Sequence, residues 1–255
     1  MSTTRLDGRR IIITGGASGM GEGLVRAFPG LGAKVVAMDL NPESGKAIAQ
    51  AAGAQFVAVD VSSKDSVDSA FAEAVALLGG LDVLIHAAGI APASPAEQST
   101  VELWNTVMGV NALGTMLTNQ AAYTHMVGTG GGQILNFGSA AGILGQPNKP
   151  VYAASKGAVT AWSRTAAKEW AGKNITINIV APAIWTPMYD KTRSEMAPEV
   201  LAAHDEMMKL NVPIGGKLGD VEKHFVPVLA FYSSPGAGFI TGQIISIDGG
   251  TLMVR

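Results

Sequence analysis

The sequence predicts an α/β fold, a single doubly wound domain in which helices cover both faces of a seven-stranded parallel sheet. Short apolar runs that suit buried strands alternate with longer segments of helical periodicity along the whole chain. No linker, repeat or low-complexity segment interrupts this alternation, so we expect residues 1–255 to form one domain. The first apolar run leads into a glycine-rich turn, which is typical of the first strand–helix connection of such sheets.

Composition indicates a globular protein with a large core. Of the 255 residues, 47% are hydrophobic and 15% are charged, which excludes a disordered chain. The net charge of −2 is not accompanied by a basic stripe, so no nucleic-acid partner is expected. The chain has no run of ~18 apolar residues and no apolar signal core at its N-terminus, so we expect a cytoplasmic protein without a membrane partner.

Residue types exclude two kinds of chemistry. The absence of cysteine excludes disulfides, thiolate catalysis and cysteine-ligated metals. The four histidines show no paired spacing of the kind that metal sites use, so no metal is expected.

The first strand is predicted at Arg10–Thr14, and a helix to about Phe28 follows the glycine-rich turn. This order aims free backbone N–H groups and the positive end of a helix at a phosphate. We therefore expect a Rossmann-like domain whose turn binds the pyrophosphate of a dinucleotide; the alternative is a glycine-rich connection without a ligand. The expected cofactor contacts in the turn are Gly15, Ser18, Gly19, Met20 and Gly21.

The second strand, predicted at 34–38, ends at Asp39, which lies 18 residues after Gly21. A carboxylate at this distance typically accepts hydrogen bonds from the adenosine ribose and would repel a 2′-phosphate. Ser18 and Leu40 offer no compensating positive charge, so NAD(H) is predicted over NADP(H). The alternative is that Asp39 caps the helix that begins near Pro42.

A strand predicted at 55–59 leads into Asp60-Val61. We expect these residues beside the cofactor, where the acid could accept a hydrogen bond from the adenine amine. Equally, Asp60 or Ser62 could cap the following helix at 64–78.

The strand at 81–85 runs into His86-Ala-Ala-Gly89, where Ala87 and Gly89 are small enough for the chain to pass close to a ligand. We expect His86 to be a satisfied core residue. A long helix is predicted at 100–127 with Asn111 in its middle. One possibility is that this amide is a core group whose hydrogen bonds are satisfied. The other is that a water is held here, either by the amide or by a main-chain carbonyl that a local kink frees.

The strand at 133–137 ends before Ser139, at the edge where parallel sheets bind ligands. A helix at 150–171 carries Tyr152 and Lys156 on one face, since four residues separate them. A lysine ammonium near a phenol lowers the tyrosine pKa, which makes an acid or base usable near neutral pH. The alternative is an ordinary surface pair.

After a strand at 174–180, the segment 185–219 carries methionines and interleaved charges, and we expect one or two helices that form a substrate lid. The alternative is a peripheral helix pair that only packs. Asp220 is expected to cap a last helix to about Ser233 that Pro227 kinks, before a strand at 243–247. Substrate contacts are expected from Ser139, Tyr152, Trp185 and Met188.

Right-handed crossovers bring the carboxyl ends of all strands to one rim, so the residues singled out at strand ends should converge there. In this order and spacing the chain resembles a classical short-chain dehydrogenase/reductase over nearly its full length. The resemblance is carried by Thr14-Gly-x-x-x-Gly-x-Gly21, Asp60-Val61, His86-Ala-Ala-Gly89, Asn111, Ser139, Tyr152-x-x-x-Lys156 and Asp248-Gly-Gly250.

The resemblance implies catalytic roles for four residues. Tyr152 would exchange a proton with the substrate oxygen, and Ser139 would hold that oxygen. Lys156 would depress the tyrosine pKa and hydrogen-bond the nicotinamide ribose, while Asn111 would anchor a water. Further cofactor contacts are expected from Pro182, Trp185 and Thr186.

Two departures from the family pattern concern the site. His86 stands where the family has an asparagine. Ala183 follows Pro182 in place of a glycine, and Thr186 arrives one residue early, so the contact with the nicotinamide amide could move and Trp185 could crowd that pocket.

The predicted function is an NAD-dependent oxidoreductase that interconverts a small-molecule secondary alcohol and its ketone. The alternatives are a 3-oxoacyl carrier-protein reductase and a catalytically silent NAD-binding protein. The methionines favour an apolar substrate, but Lys191, Arg193 or Lys209 could meet a carboxylate. The resemblance also implies a homotetramer in which the helices that carry Asn111 and Tyr152 pack against partners.

Overall fold

A computed structural model describes residues 4–253, except for the side chain of Met188. Within these residues one sheet of seven parallel strands has the order β3-β2-β1-β4-β5-β6-β7, which confirms the predicted architecture. The chain moves outwards from β1 to β3 and then crosses to β4, so a crevice opens between β1 and β4 at their carboxyl ends. The strands are β1 Arg10–Thr14, β2 Lys34–Asp39, β3 Gln55–Ala58, β4 Val83–His86, β5 Gly132–Phe137, β6 Ile175–Pro182 and β7 Ile244–Ile247.

Ten α-helices connect and cover these strands in the described part of the chain. They are α1 Gly19–Ala27, α2 Pro42–Ala52, α3 Lys64–Leu78, α4 Val101–Met108, α5 Gly114–Met126, α6 Ala141–Leu144, α7 Pro150–Trp170, α8 Pro187–Ser194, α9 Pro198–Asn211 and α10 Val226–Tyr232. Two π-helical segments lie at Gly109–Leu113 and Val221–Phe225, and short 3₁₀ turns at Pro29–Leu31, Ala96–Gln98, Ala171–Lys173 and Pro235–Ala237.

Helices cover both faces of the sheet, as predicted. Side chains of α3, α5 and α7 pack with Ile12 and Leu84 on one face. Side chains of α1, α2 and α10 pack with Ile13 and Ile85 on the other. Because neighbouring residues of a strand point to opposite faces, a run such as Ile11-Ile12-Ile13 is fully buried only when both faces are covered.

The acids at the ends of β2 and β3 are not helix caps, which corrects one alternative for each. Asn41 caps α2 and accepts hydrogen bonds from the N–H groups of Glu43 and Ser44. Ser63 caps α3. Asp39 and Asp60 are therefore free to make other contacts at the rim.

The predicted single helix at 100–127 is interrupted, and this is a correction. The π segment Gly109–Leu113 separates α4 from α5 and widens the helix around Asn111. Gly114 ends the segment, and a Cβ there would lie 3.0 Å from Cγ2 of Val61, so the glycine allows the helix to approach the rim closely. The kink foreseen at Asn111 is thus a change of helical pitch.

The C-terminal region follows the prediction with one refinement. Asp220 accepts a hydrogen bond from the N–H of Lys223 and begins a π-helical turn, and Pro227 is the second residue of α10. The segment 185–219 contains α8 and α9. Within residues 4–253, no helix combines the length and apolar composition that a membrane crossing requires.

Candidate active site

A cavity of about 660 Å³ lies at the carboxyl-terminal rim of the sheet. Most residues that the sequence singled out line it together: Gly15, Ser18, Gly19, Met20, Gly21, Asp39, Leu40, Asp60, Val61, Ala87, Gly89, Ser139, Tyr152, Lys156, Pro182 and Thr186. Asn111 and Trp185 are not among the described residues that line it, and the side chain of Met188 lies outside the described part of the structure. The strand topology accounts for this convergence, because each lining segment follows a strand end.

The glycine-rich turn is packed too closely for side chains at two positions. Gly15 has a φ of 68°, and a Cβ there would lie 2.8 Å from the backbone N of Ala88. A Cβ on Gly21 would lie 2.1 Å from the carbonyl oxygen of Gly15. The turn therefore folds back on α1 while touching the exit of β4. The start of α1, which has no side-chain cap, lines the cavity from Ser18 to Gly21, so its first backbone N–H groups are available to a ligand.

The carboxylate of Asp39 is held by two backbone groups. Oδ2 accepts a hydrogen bond of 3.0 Å from the N–H of Ala17, and Oδ1 accepts one of 3.0 Å from the N–H of Asn41. These bonds join the end of β2 to the glycine-rich turn and fix the carboxylate at the cavity edge. The neighbouring Leu40 is exposed and carries no charge.

Asp60 is oriented by its own turn. Its Oδ1 accepts hydrogen bonds from the N–H and the hydroxyl of Ser62, at 2.9 and 2.6 Å. The carboxylate therefore stays beside Val61 on the cavity wall. Among the described residues, Asp39 and Asp60 are the acidic side chains that line the cavity, and they lie at the ends of β2 and β3 on one side of the sheet.

Lys156 is buried below the floor of the site. Its Nζ donates a 2.6 Å hydrogen bond to the carbonyl of Phe137, at the end of β5. The same Nζ lies 5.8 Å from the centroid of the Tyr152 ring. Burial disfavours the charged amine and lowers the pKa of Lys156 to about 8.

The pKa of Tyr152 moves in the direction opposite to the prediction. Burial raises it above its ordinary value, and a hydrogen bond with Ser139 opposes that rise without reversing it. The ammonium of Lys156 bonds to a carbonyl and lies beside the ring, so it does not offset the burial of the phenol. The prediction that Lys156 lowers the pKa of Tyr152 is therefore wrong. The prediction that the two side chains lie close together is confirmed.

Ser139 and the start of α6 form the wall opposite the glycine-rich turn. The Ser139 oxygen accepts a hydrogen bond of 3.1 Å from the N–H of Ala141. That bond fixes the hydroxyl near the phenol of Tyr152, to which it contributes a hydrogen bond.

Asn111 lies one layer behind the cavity and is fully bonded. Its Nδ2 donates to the carbonyl of Ile90 and to Oγ of Ser155, and its Oδ1 accepts from the N–H of Ile90, each at 2.9 Å. A Cβ on Gly89 would lie 3.2 Å from Oδ1 of Asn111 and 3.5 Å from Nζ of Lys156. The amide therefore ties the π segment to the loop that follows β4, next to the buried lysine, in agreement with the core-amide alternative.

His86 is a buried, neutral core residue with one unbonded nitrogen. Nδ1 lies 2.9 Å from Oγ1 of Thr14 and 3.1 Å from Oγ1 of Thr118. Nδ1 therefore has hydrogen-bond partners in two threonine hydroxyls. Nε2 has no partner among the described residues, so the prediction of a satisfied histidine holds for one nitrogen only. Burial, with a smaller contribution from Lys156, lowers the pKa of His86 to about 3.

The exit of β6 needs no glycine. Ala183 donates its N–H to the carbonyl of Ile247 and accepts at its carbonyl from Gly219, each at 2.9 Å. It is not among the residues with a positive φ, so its backbone conformation is open to any residue. Thr186 still reaches the cavity, where a Cβ on Gly19 would lie 3.9 Å from its Cγ2.

Trp185 does not crowd the pocket, because it is not among the described residues that line the cavity. Its Nε1 donates a 2.7 Å hydrogen bond to Asp190, and the guanidinium of Arg193 lies 5.0 Å from its ring. Its ring packs edge-on against Tyr189 at 4.9 Å. The indole is thus held by α8, while Ile184 lines the cavity before it.

Contacts between side chains tie α8 to α9. Arg193 forms an ion pair with Asp205, and the hydroxyl of Tyr189 lies 2.6 Å from Nε2 of His204. Lys209 pairs with Glu206. Arg193 and Lys209 are therefore neutralised within this segment, which argues against the prediction that they could meet a substrate carboxylate.

Sequence reasoning missed several residues at the end of the cavity near Tyr152. These are Gln146, Lys149, Ile184, Tyr189 and Leu218. Lys149 lies three residues before Tyr152, a spacing that places side chains on one face of a helix. Because Pro150 marks the start of α7, the sequence offered no reason to place Lys149 on the same face as Tyr152. Gln146, Ile184 and Leu218 lie outside the helices and strands, where no periodicity shows which side chains face inwards, and Tyr189 lies in the short helix α8.

Comparison with known proteins identifies the family. A family model described as enoyl-(acyl carrier protein) reductase matches residues 15–251. The chain is 33% identical to the 3-oxoacyl-[acyl-carrier-protein] reductase of Thermotoga maritima, with 98% of this chain and 100% of the relative covered. It is 31% identical to the NAD-dependent glycerol dehydrogenase of Listeria innocua, with 94% and 92% covered. The crystal structure of levodione reductase matches with a TM-score of 0.88 at 29% identity, over 96% of this chain and 98% of that one.

The chain belongs to the short-chain dehydrogenase/reductase family. Members of this family are oxidoreductases that use a nicotinamide cofactor. The glycine-rich turn, the held carboxylate of Asp39 and the N–H groups along the cavity wall are a donor and acceptor set that fits a dinucleotide.

Proposed function

We propose that the protein is an NAD(H)-dependent oxidoreductase that interconverts a small-molecule secondary alcohol and its ketone. The observation that carries the proposal is the convergence of Ser139, Tyr152 and Lys156 at one end of a cavity whose other end presents Asp39 and the glycine-rich turn. One cavity of this size can accommodate a dinucleotide together with a small substrate at the tyrosine end.

The proposed roles follow from the position of each group. Tyr152 exchanges the proton of the substrate oxygen, and Ser139, whose hydroxyl is fixed by Ala141, orients that oxygen. Lys156, held on the carbonyl of Phe137, supplies positive charge beside the phenol and bonds to the nicotinamide ribose. Asn111 supports this arrangement through its hydrogen bonds to Ile90 and Ser155. A nicotinamide cofactor held by Asp39 and the glycine-rich turn would supply the hydride chemistry.

The preference for NAD(H) is supported by charge at the adenosine end. The carboxylate of Asp39 is fixed and would repel a 2′-phosphate. The lysines that line the cavity are Lys149 and Lys156, both near Tyr152, and no lysine or arginine of the described chain lines the end that holds Asp39. A relative that shares 31% of its sequence is named an NAD-dependent enzyme.

A reductase for 3-oxoacyl groups on carrier protein is the second candidate. A relative of 33% identity carries that name, and the cavity would accept an acyl chain beside Ile184 and Leu218. Against it, the mouth of the cavity presents one lysine rather than the basic patch that an acidic carrier needs.

The test is the change of absorbance at the NADH band with a panel of secondary alcohols and polyols, each assayed with NAD and with NADP. A 3-oxoacyl thioester with NADH and with NADPH completes the panel. We expect alcohols to be oxidised with NAD at a kcat/KM at least tenfold above that with NADP. Turnover of the thioester alone would support the second candidate, and cofactor binding without any turnover would support a silent NAD-binding protein.

We further propose that the protein assembles as a homotetramer through α4, α5 and α7. Val101 and Trp104 on α4, and Leu113 on the π segment, expose apolar side chains. An apolar groove between α5 and α7 continues this surface at Met116 and Trp162. Light scattering should give four times the chain mass of 26.2 kDa, and a monomer mass would contradict the assembly.

A further inference from the structure

We propose that Lys149 selects the substrate, because its ammonium pairs with a carboxylate on the same small molecule that carries the reacting alcohol. The inference rests on the proposed function and names its substrate class. The substrates are small hydroxy acids in the direction of oxidation and the corresponding oxo acids in the direction of reduction.

Lys149 is the accessible one of two ammonium groups beside Tyr152. Its Nζ lies 5.9 Å from the centroid of the tyrosine ring, nearly the same distance as Nζ of Lys156 at 5.8 Å. Lys156 is buried and donates to the carbonyl of Phe137, whereas Lys149 is half-buried and lines the cavity beside Gln146. A ligand whose hydroxyl reaches Tyr152 can therefore also reach the ammonium of Lys149.

No carboxylate of residues 4–253 forms a salt bridge with Lys149. The acids that line the cavity, Asp39 and Asp60, follow β2 and β3, whereas the strands that lead to Ser139 and Pro182 lie on the other side of β1 and β4. A cation that is partly removed from water and has no counter-ion gains most from an anionic ligand. The end of the cavity near Tyr152 is therefore electrostatically suited to a carboxylate.

The backbone before α7 fixes the direction of Lys149. Asn148 has a φ of 60°, in the left-handed region that few residues other than glycine adopt. Its carbonyl accepts a 2.8 Å hydrogen bond from the N–H of Ser94, and the N–H of Lys149 donates to the carbonyl of Gln146 at 3.1 Å. The turn is thus tied to a neighbouring loop and to itself, which holds the lysine at the cavity.

The chemistry of the proposed reaction is unchanged by the acid group. The C–H bond of the alcohol carbon breaks and its electron pair leaves as hydride to the oxidised cofactor, while the hydroxyl proton passes to the phenolate form of Tyr152 and a ketone forms. The carboxylate of the substrate keeps its charge throughout and contributes to binding only, through the ammonium of Lys149. Polyols could hydrogen-bond to Lys149, but they would not gain from its charge.

The kinetic test compares hydroxy acids of four to six carbons with their methyl esters, which differ by the loss of the charge. In the unaltered protein we expect kcat/KM to be at least tenfold higher for the acid. Lys149→Met should lower kcat/KM for the acid by about tenfold to hundredfold, mainly through KM, and change that for the ester by less than about threefold. Lys149→Arg should keep the preference, and Lys168→Met, an exposed lysine on the same helix, should have no effect.

Two kinetic results would overturn the proposal. One is equal use of acid and ester by the unaltered protein. The other is an equal loss for acid and ester in Lys149→Met, which would mean that Lys149 acts on Tyr152 rather than on the substrate.

A binding measurement separates this proposal from the proposed function. Hydroxy acids are titrated by calorimetry into the protein saturated with NADH, where no oxidation can occur. Binding that is lost in Lys149→Met supports the assignment even if no alcohol is ever oxidised, in which case the proposed function alone fails. If neutral polyols are oxidised while no acid binds, the proposed function stands and the role of Lys149 is refuted.

Discussion

The carboxylate of Asp39 has a fixed position at the carboxyl-terminal rim of the sheet. Two backbone N–H groups hold it, one from the glycine-rich turn and one from its own loop. The charge is therefore fixed at the cavity edge, and the proposed preference for NAD(H) depends on its lying beside the adenosine ribose.

Replacing Asp39 with serine should lower kcat/KM for NAD about tenfold to hundredfold and reduce the preference over NADP, because the ribose loses an acceptor and a repulsive charge disappears. Steady-state kinetics with both cofactors measures the effect. Asp65→Ser, on an exposed turn of α3, is the matched control. An unchanged ratio of the two cofactors in Asp39→Ser would contradict the assignment.

His86 makes the fold sensitive to acid. Its pKa in the folded protein is about 3, below the ordinary value of 6.5, because burial disfavours the charged ring. Between these values the unfolded chain binds a proton that the folded chain does not, so stability is complete above about pH 6.5 and is lost as the pH falls.

In His86→Asn the unfolding free energy should therefore fall less steeply as the pH is lowered below 6.5. From pH 6 to pH 5 the unaltered protein should lose up to about 1.4 kcal/mol more unfolding free energy than the variant. Urea unfolding of both proteins at pH 5, 6, 7 and 8 measures this. Between pH 7 and pH 8 the unfolding free energies of the two proteins should depend on pH in the same way. Equal losses below pH 6 would show that the histidine is not buried as a neutral ring.

Positions at strand ends could be predicted from the sequence, whereas the orientations of neighbouring side chains could not. Ser139 and Asp39 follow strands, so topology alone brings them to the rim. Trp185 lies in the same region but turns towards Asp190 and Arg193, a choice that depends on contacts within α8. The pKa of Tyr152 likewise depends on burial, which spacing along a helix does not reveal.

The π segment Gly109–Leu113 explains how one polar residue can sit inside a long apolar helix. Its amide meets both backbone groups of Ile90 and the hydroxyl of Ser155, so no polar atom of the Asn111 side chain is left unbonded. The sequence predicts a helix here and allows for a kink at Asn111, but periodicity cannot register one extra residue in a turn, so the π form of the interruption was not predicted. One or two helices were predicted over 185–219, where the structure has α8 and α9, while their Arg193–Asp205 contact was not predicted.

Asn111→Ala should destabilise the protein by about 2–5 kcal/mol, because buried groups of Ile90 and Ser155 lose their partners. Asn105→Ala, on the exposed face of α4, should change the unfolding free energy by less than about 0.5 kcal/mol. Urea denaturation of both variants provides the comparison. Similar small losses in both would mean that the amide does not tie the π segment to the loop after β4.

The whole molecule depends on two cores, one on each face of the sheet. This part of the fold was predictable, because continuous apolar runs suit strands that are buried on both sides. The cavity follows from the same architecture, since a doubly wound sheet opens a crevice where its strand order reverses. What the sequence could not give is which loop residues close that crevice, and Lys149 and Tyr189 were found only from the structure.

Ile12→Ala and Ile13→Ala should each cost about 2–5 kcal/mol of unfolding free energy, because both side chains are fully buried in different cores. Leu77→Ala, at an exposed position of α3, is the control and should cost far less. Chemical denaturation of the three variants gives the values. A large loss at only one of the two isoleucines would contradict a sheet covered on both faces.

We propose that Tyr152 exchanges a proton with the substrate beside a bound dinucleotide. The most direct test measures turnover and NAD affinity side by side in Tyr152→Phe, with Tyr123→Phe, which packs on Trp170 away from the cavity, as control. We predict that Tyr152→Phe lowers kcat by about 10²–10⁴ while the Kd for NAD changes less than about threefold. Turnover that survives in Tyr152→Phe, or a loss of NAD binding that accounts for the lost turnover, would contradict the account.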